Sequence, residues 1–310
     1  MPPRANVRVP SRVYHHVRPA PRLPAPPSHV DVWYARGVPG PIDNAVVLIT
    51  GASSGIGREL ARLIAPRAKA VVLAARRADR LERLAEELRK ARADLSVLAI
   101  ACDIADRAAA DRMLAQIEAE LGPLDVLVNS AGLGDLGVFD LSDADKQQQM
   151  IELNVKSLVY LTRRVLPSMV AKRRGGVLNI SSGFGLTFGP GMATYVGTKH
   201  FVTGFTESLR VDLAGTGVVV TQVCPGPVAT EFEANVGNFT GMHPPKLIEI
   251  SAASCARAAI RAFDRRAALT IPGFWIKLLM GLGAMTPRFI LRLVYGRAAR
   301  LLRKKQLSLG

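Results

Sequence analysis

The chain has 310 residues, 49% hydrophobic and 21% charged, which places it among globular proteins rather than disordered ones. Its net charge of +16 is uneven: residues 1 to 43 carry six Arg against Asp31 and Asp43, residues 265 to 310 carry ten Lys or Arg and no acid, and the stretch between is nearly neutral. Cys102, Cys224 and Cys255 lie far apart without CxxC or His-paired spacing, which excludes a disulfide framework and a cysteine-based metal site and suits a reducing, cytoplasmic compartment.

Residues 1 to 42 are rich in Pro and Arg, lack an apolar period and read as a disordered or extended leader. They hold no apolar core of signal-peptide length, so secretion is not expected. Their prolines oppose the amphipathic helix of a transit peptide, and an over-long start is the plainer reading.

From Ala45 onward strand-like and helix-like segments alternate. Strands are expected at 46–50, 70–75, 96–101, 125–129, 177–181, 218–223 and, weakly, 269–271. Helices are expected at 56–65, 80–92, 107–121, a long one at 143–171, then 194–213 and 252–263. Near-continuous Val/Ile/Leu strands between amphipathic helices imply a parallel sheet covered on both faces. The expected fold is α/β: a Rossmann-type, doubly wound, seven-stranded sheet of order 3-2-1-4-5-6-7, in one domain over 43–265 with right-handed crossovers.

The first strand runs into VVLITGASSGIG, where Gly51, Gly55 and Gly57 punctuate a turn leading into a helix. Strand, glycine turn and helix N-terminus are the order that a dinucleotide pyrophosphate requires, with Ser53, Ser54 and Ile56 in the same turn. The second strand ends in Ala74-Ala75-Arg76-Arg77, with no acid to accept from a ribose 2′-hydroxyl. Two cations at that point favour a 2′-phosphate, hence NADP(H), with NAD(H) as the alternative. Asp79 reads as a favourable charge at a helix start.

Downstream come Asp103-Ile104, Asn129-Ser130-Ala131-Gly132, Asn154, Ser182, Tyr195-x-x-x-Lys199 and Pro225-Gly226. Tyr195 and Lys199 are spaced i, i+4 on one helix face, where an ammonium beside a phenol favours phenolate and so lowers the phenol pKa. Ser181 and Ser182 close the fifth strand, at the sheet end where ligands bind, and a hydroxyl there is suited to hold a substrate oxygen.

In this order the motifs resemble the short-chain dehydrogenase/reductase family over residues 45 to about 265. The resemblance implies a catalytic tetrad of Asn154, Ser182, Tyr195 and Lys199. Tyr195 is then the acid/base, Lys199 also binds the nicotinamide ribose, and Asn154 holds a water in the proton relay. It implies further cofactor contacts from Asp103 and Ile104 at the adenine, and from Asn129, Ala131 and Gly132 at the central strand. Pro225, Gly226, Val228 and Thr230 follow at the nicotinamide, with the backbone near Val228 bonding its carboxamide. Asp103 also reads as a helix N-cap. Pro66 to Lys69 depart from the family's usual glycine turn. The family commonly forms dimers or tetramers through the helices bearing Asn154 and Tyr195.

No His pair has metal-ligand spacing, no metal is expected, and His200 points away from the Tyr195 and Lys199 face. Phe184, Leu186, Phe188 and Met192, with Phe232, Phe239, Met242, Pro244 and Pro245, suggest a lipophilic substrate under an apolar lid. Residues 267–287 are apolar apart from Lys277, but Pro272, Gly273, Gly281, Gly283 and Pro287 break helix regularity. Residues 288–305 read as a basic amphipathic helix that either lies on a membrane surface or packs over the pocket or a partner subunit. No nucleic-acid module accompanies the charge. The expected activity is carbonyl reduction or its reverse in lipid metabolism. The alternatives are reduction of a 3-oxoacyl thioester on an acidic carrier, or dinucleotide sensing without turnover.

Overall fold

The computed structural model describes residues 39 to 308, apart from 238–240, 242–244 and the side chain at 284. The leader up to residue 38, and Phe239, Met242 and Pro244 of the lid, lie outside the described residues.

Five parallel strands form the centre of the sheet: β1 (Val46–Thr50), β2 (Ala70–Ala75), β4 (Val126–Asn129), β5 (Gly176–Ile180) and β6 (Val219–Val223). With β3 (Ser96–Ala101) and β9 (Leu269–Thr270) at the edges, the order is β3-β2-β1-β4-β5-β6-β9, the doubly wound arrangement. Two short strands outside this sheet, β7 (Val228–Ala229) and β8 (Ile250–Ser251), pair with each other; strands of two residues leave no periodic signal to read.

Every residue of β1, β4, β5 and β6 is buried, which explains their lack of polar alternation. On one side Leu60, Ala61 and Ile64 of α1 (Gly55–Ile64) pack with Leu81, Leu84 and Leu88 of α2 (Ala78–Ala91) and with Phe263 of α8 (Ala252–Asp264). On the other, Met113 and Ile117 of α3 (Arg107–Leu121) meet Leu161, Val165 and Met169 of α5 (Leu158–Ala171).

The single helix expected over 143–171 is interrupted. It comprises α4 (Ala144–Ile151), a π-helical turn at Glu152–Ser157, and α5. Asn154 sits in the widened turn, and its amide turns inward to the backbone of residue 133. Its Oδ1 accepts from the Leu133 N–H at 2.9 Å, and its Nδ2 donates to the Leu133 carbonyl at 2.8 Å. A regular helix has no reason to bury an amide there, and π turns gather at functional sites.

The turn at 66–69 needs no glycine. Arg67 fixes it by pairing at 2.7 Å with both Asp43 and Asp264. After β6 and β7 come α7 (Glu231–Val236), β8 and α8. Against expectation, 274–285 is helical: α9 (Phe274–Met285) runs through Gly281 and Gly283, and α10 (Arg288–Leu307) follows Pro287. Tertiary packing outweighs the glycine penalty of about 1 kcal/mol each, because Ile276 docks against Gly226 and Met280 against Gly183.

Candidate active site

The C-terminal ends of β1, β2, β4, β5 and β6 open into one cavity of about 1130 Å³. Thr50 locks two of those ends together, accepting from Ser130 N at 3.1 Å and Ala131 N at 3.2 Å while donating to the Val128 carbonyl. Gly51 and Gly55 take φ of +70° and +55°, and a Cβ on Gly57 would lie 2.5 Å from the Gly51 carbonyl oxygen. The turn therefore closes onto α1 only with glycine at these places.

Helix α1 carries no acid in its first turn, and its N-cap Ser54 makes no capping bond. The Ser54 hydroxyl instead accepts from Arg77 Nη2 at 2.8 Å, as the Ser53 hydroxyl does at 3.0 Å. Arg77 also donates to Glu231 at 2.8 Å, and Arg80 donates to the same carboxylate at 2.6 Å.

At the other end of the cavity, Tyr195 and Lys199 stand one turn apart on α6 (Ala193–Asp212), and both are buried. Lys199 Nζ donates to the Ile180 carbonyl at 3.0 Å and lies 5.7 Å from the centre of the Tyr195 ring. The rings of Phe232 and Phe184 lie 5.6 and 6.3 Å from that of Tyr195. Ser182 begins a short 3₁₀ turn after β5, where its hydroxyl accepts from Phe184 N at 3.1 Å.

Burial governs the titration of this cluster. It pushes the Tyr195 phenol up to about 12, a rise that the neighbouring Ser182 hydroxyl opposes, and it pulls the Lys199 amine down to about 8. The expected lowering of the phenol pKa by the Lys199 ammonium is thus reversed in direction, because desolvation of the buried phenol dominates.

A family model described as short chain dehydrogenase matches residues 45–240. A short chain dehydrogenase of Pseudocercospora fijiensis is 37% identical over 209 residues, covering 66% of this chain and 67% of that protein. The NADP-dependent 3-hydroxy acid dehydrogenase of Salmonella typhi is 41% identical over 192 residues, covering 61% of this chain and 75% of that one. Among solved structures, a short-chain dehydrogenase from Sphingobium yanoikuyae in complex with NADPH superposes with a TM-score of 0.68 at 32% identity, covering 73% of this chain and 87% of that one. The chain belongs to the short-chain dehydrogenase family. It is an NAD(P)-dependent oxidoreductase acting on CH–OH and C=O groups.

The dehydrogenase fits a dinucleotide on its own geometry. The uncapped, acid-free N-terminus of α1 faces the glycine turn, where phosphate oxygens are best held. A Cβ at Gly132 would stand 3.4 Å from Asn154 Oδ1 and 3.7 Å from Lys199 Nζ, so both polar atoms lie against the same side of this residue.

Of the residues singled out in the sequence, Gly51, Ser53, Ser54, Gly55, Ile56, Gly57, Arg76 and Arg77 line the cavity, as do Asp103, Ile104, Ala131 and Gly132. Ser182, Tyr195, Lys199, Pro225, Gly226, Val228 and Thr230 line its other half. Asn129 does not: its amide lies beneath the floor, donating to Asn179 Oδ1 at 2.9 Å, and Asn179 in turn donates to Thr206. Asn154 stands behind residues 132–133 rather than in the wall.

Asp103 is not a helix cap. It accepts from Ala105 N at 3.0 Å, whereas Asp106 caps α3 by accepting from Ala108 N. His200 is exposed, and its Nδ1 is bonded locally to the Val196 carbonyl.

Sequence reasoning missed the Glu231 clamp on Arg77 and Arg80, because partners about 150 residues apart leave no local signal. It also missed Ile276, Met280 and Tyr295 as wall residues. Their apolar spacing was readable, but their side of the molecule was not.

Proposed function

We propose that the protein is an NADPH-dependent reductase of lipophilic ketones or aldehydes, working as a homo-oligomer in the cytoplasm. The observation that carries this reading is the wall around the Tyr195 phenol, built from Phe184, Met192, Phe232, Ile276 and Met280, with Ser182 as the polar anchor on the substrate side. Such a site rewards an apolar body with one carbonyl.

Residues Gly51 to Gly57 would hold the cofactor's pyrophosphate, Arg76 and Arg77 its 2′-phosphate, and Tyr195 and Lys199 its nicotinamide ribose. NADPH supplies the hydride. The remaining work falls to the chain's own side chains. Ser182 orients the substrate oxygen. Tyr195, fully protonated at neutral pH, gives its proton to that oxygen as negative charge develops there. Lys199, held by the Ile180 carbonyl, keeps positive charge beside the phenol below about pH 8. The Asn154 amide and the Lys199 amine share the space beside Gly132, which suits a proton relay to solvent.

The test is NADPH oxidation with a panel of lipophilic carbonyls, small sugars and a carrier-linked 3-oxoacyl thioester, with Tyr195→Phe as control. Turnover confined to the lipophilic group and abolished in the variant is the expected result. Preference for sugars overturns the substrate class. Strongly salt-dependent KM for the thioester alone moves the assignment to a carrier-linked substrate.

A further inference from the structure

Helix α9 is apolar on all sides, with Lys277 as its one charged residue. Such a helix is stable only where all its faces are covered. Ile276 and Met280 turn inward and line the cavity. Phe274, Trp275, Leu278, Leu282 and Met285 form a continuous stripe on the opposite side and are exposed, Phe274 to 73% and Met285 to 83%. Past the 113° bend at the α9–α10 junction, Phe289, Leu293 and Val294 are exposed as well. An apolar surface of this extent on a folded protein marks a contact site.

Charge identifies the occupant. Seven Lys or Arg lie between residues 288 and 305, and no acid occurs after Asp264. A second copy docking through the same face about a twofold axis would bring this cationic segment against itself. An anionic lipid surface meets both needs, taking the apolar stripe among acyl chains and the cations among headgroups. No described helix is long and apolar enough to cross a bilayer. The 12 residues of α9 extend only about 18 Å, against a hydrocarbon core of about 30 Å, so α9 alone does not span it, and α9 with α10 meets the length and composition of a span only as a pair bent by 113°.

The cap is fixed to the catalytic body. Gln306 accepts from Val138 N at 2.8 Å and donates to the Leu141 carbonyl, Arg303 pairs with Asp140, and Leu302 is buried against Gly191. Leu279 both lines the cavity and is half exposed, so the cavity reaches the outer face at this residue.

We infer that α9 and the N-terminal half of α10 form an interfacial docking surface for anionic membranes, through which a lipophilic substrate enters the cavity beside Leu279. The entry route rests on the proposed substrate class; the docking does not.

The full-length protein is mixed with phosphatidylcholine vesicles, with and without about one-third phosphatidylglycerol, and read by co-sedimentation and by Trp275 emission, with Trp275→Phe identifying that signal. The expected result is at least about fivefold more protein on the anionic vesicles, with a blue shift of Trp275. Leu278→Glu/Leu282→Glu is expected to weaken binding by about tenfold or more, with melting temperature and NADPH affinity unchanged. Arg292→Glu/Arg297→Glu is expected to remove the dependence on anionic lipid.

Equal sedimentation with both vesicle types, or binding that ignores the Leu278→Glu/Leu282→Glu change, overturns the inference. So does a dimer that the same change converts to monomer while vesicle binding is absent, which assigns the face to a second copy. Turnover of a soluble carbonyl without vesicles is measured in parallel. Its absence with docking intact overturns the reductase reading alone.

Discussion

Arg77, just after β2, is clamped by Glu231, the first residue of α7, at 2.8 Å, and the same guanidinium bonds Ser53 and Ser54 of the glycine turn. One cation thereby ties the cofactor end of the cavity to the element that carries Phe232 to the substrate end. Glu231 holds Arg77 and Arg80 just beyond β2, where the proposed 2′-phosphate contact lies, and these cations keep its carboxyl below the usual range.

Removing the clamp should release Arg77 and Arg80 to the cofactor. Glu231→Gln is expected to tighten NADPH binding roughly two- to fivefold, in line with the modest worth of exposed ion pairs, and to leave NADH binding unchanged. Fluorescence titration at low and high salt checks this, and weaker NADPH binding in the variant would show that the clamp preorganises the arginines instead.

The two arginines should separate in kinetics. Arg76→Ala is expected to raise KM for NADPH by about tenfold without affecting NADH, the loss of one charge-assisted contact. Arg77→Ala should raise KM for both cofactors, because Ser53 and Ser54 lose their partner as well.

The buried pair sets a pH signature. With Lys199 titrating near 8 and Tyr195 near 12, reductive kcat/KM should hold across neutral pH and decline above about 8 as the amine loses its charge. Tyr195→Phe should lower kcat by about 10²- to 10⁴-fold, with cofactor affinity falling by no more than the loss of one hydroxyl contact.

Stability follows from the same shift. The Lys199 pKa falls from 10.5 unfolded to about 8 folded, so between those values the unfolded state binds more protons and stability rises with pH. Below pH 8 the buried amine costs on the order of 3 kcal/mol. Lys199→Met should therefore be inactive yet more stable than the parent at pH 7, with the difference shrinking toward pH 10. Denaturant unfolding of both proteins at each pH checks this. Ionisation of Cys255 in the unfolded state lowers both curves above pH 9 and cancels in the difference.

The α10 anchor should control the substrate end alone. Leu302→Ala removes a buried side chain seated against Gly191, and Gln306→Ala strands the Val138 N–H; such changes cost about 2–5 and 1–3 kcal/mol respectively. The pair should raise KM for lipophilic carbonyls several-fold and hasten proteolysis within 288–307. NADPH affinity should not change, and a matching loss of it would place α10 in the cofactor site.

The layered fold was legible in the sequence because its causes are local. Buried parallel strands must be apolar throughout, their helices must show a 3.6-residue period, and a phosphate-binding turn must be glycine-rich at fixed spacing, as Gly51, Gly55 and Gly57 are. Tyr195 and Lys199 were legible for the same reason, being one turn apart on a single helix. Tertiary structure alone decided the rest. It sets the direction of the Tyr195 shift, because desolvation depends on Phe184 and Phe232 arriving from other elements. It breaks the long helix at Asn154, because the Leu133 backbone lies opposite. It pairs Glu231 with Arg77, and it turns Ile276 and Met280 inward while leaving Phe274 and Leu278 outside. A sequence period tells which residues share a face; what that face meets is fixed only when distant segments come together.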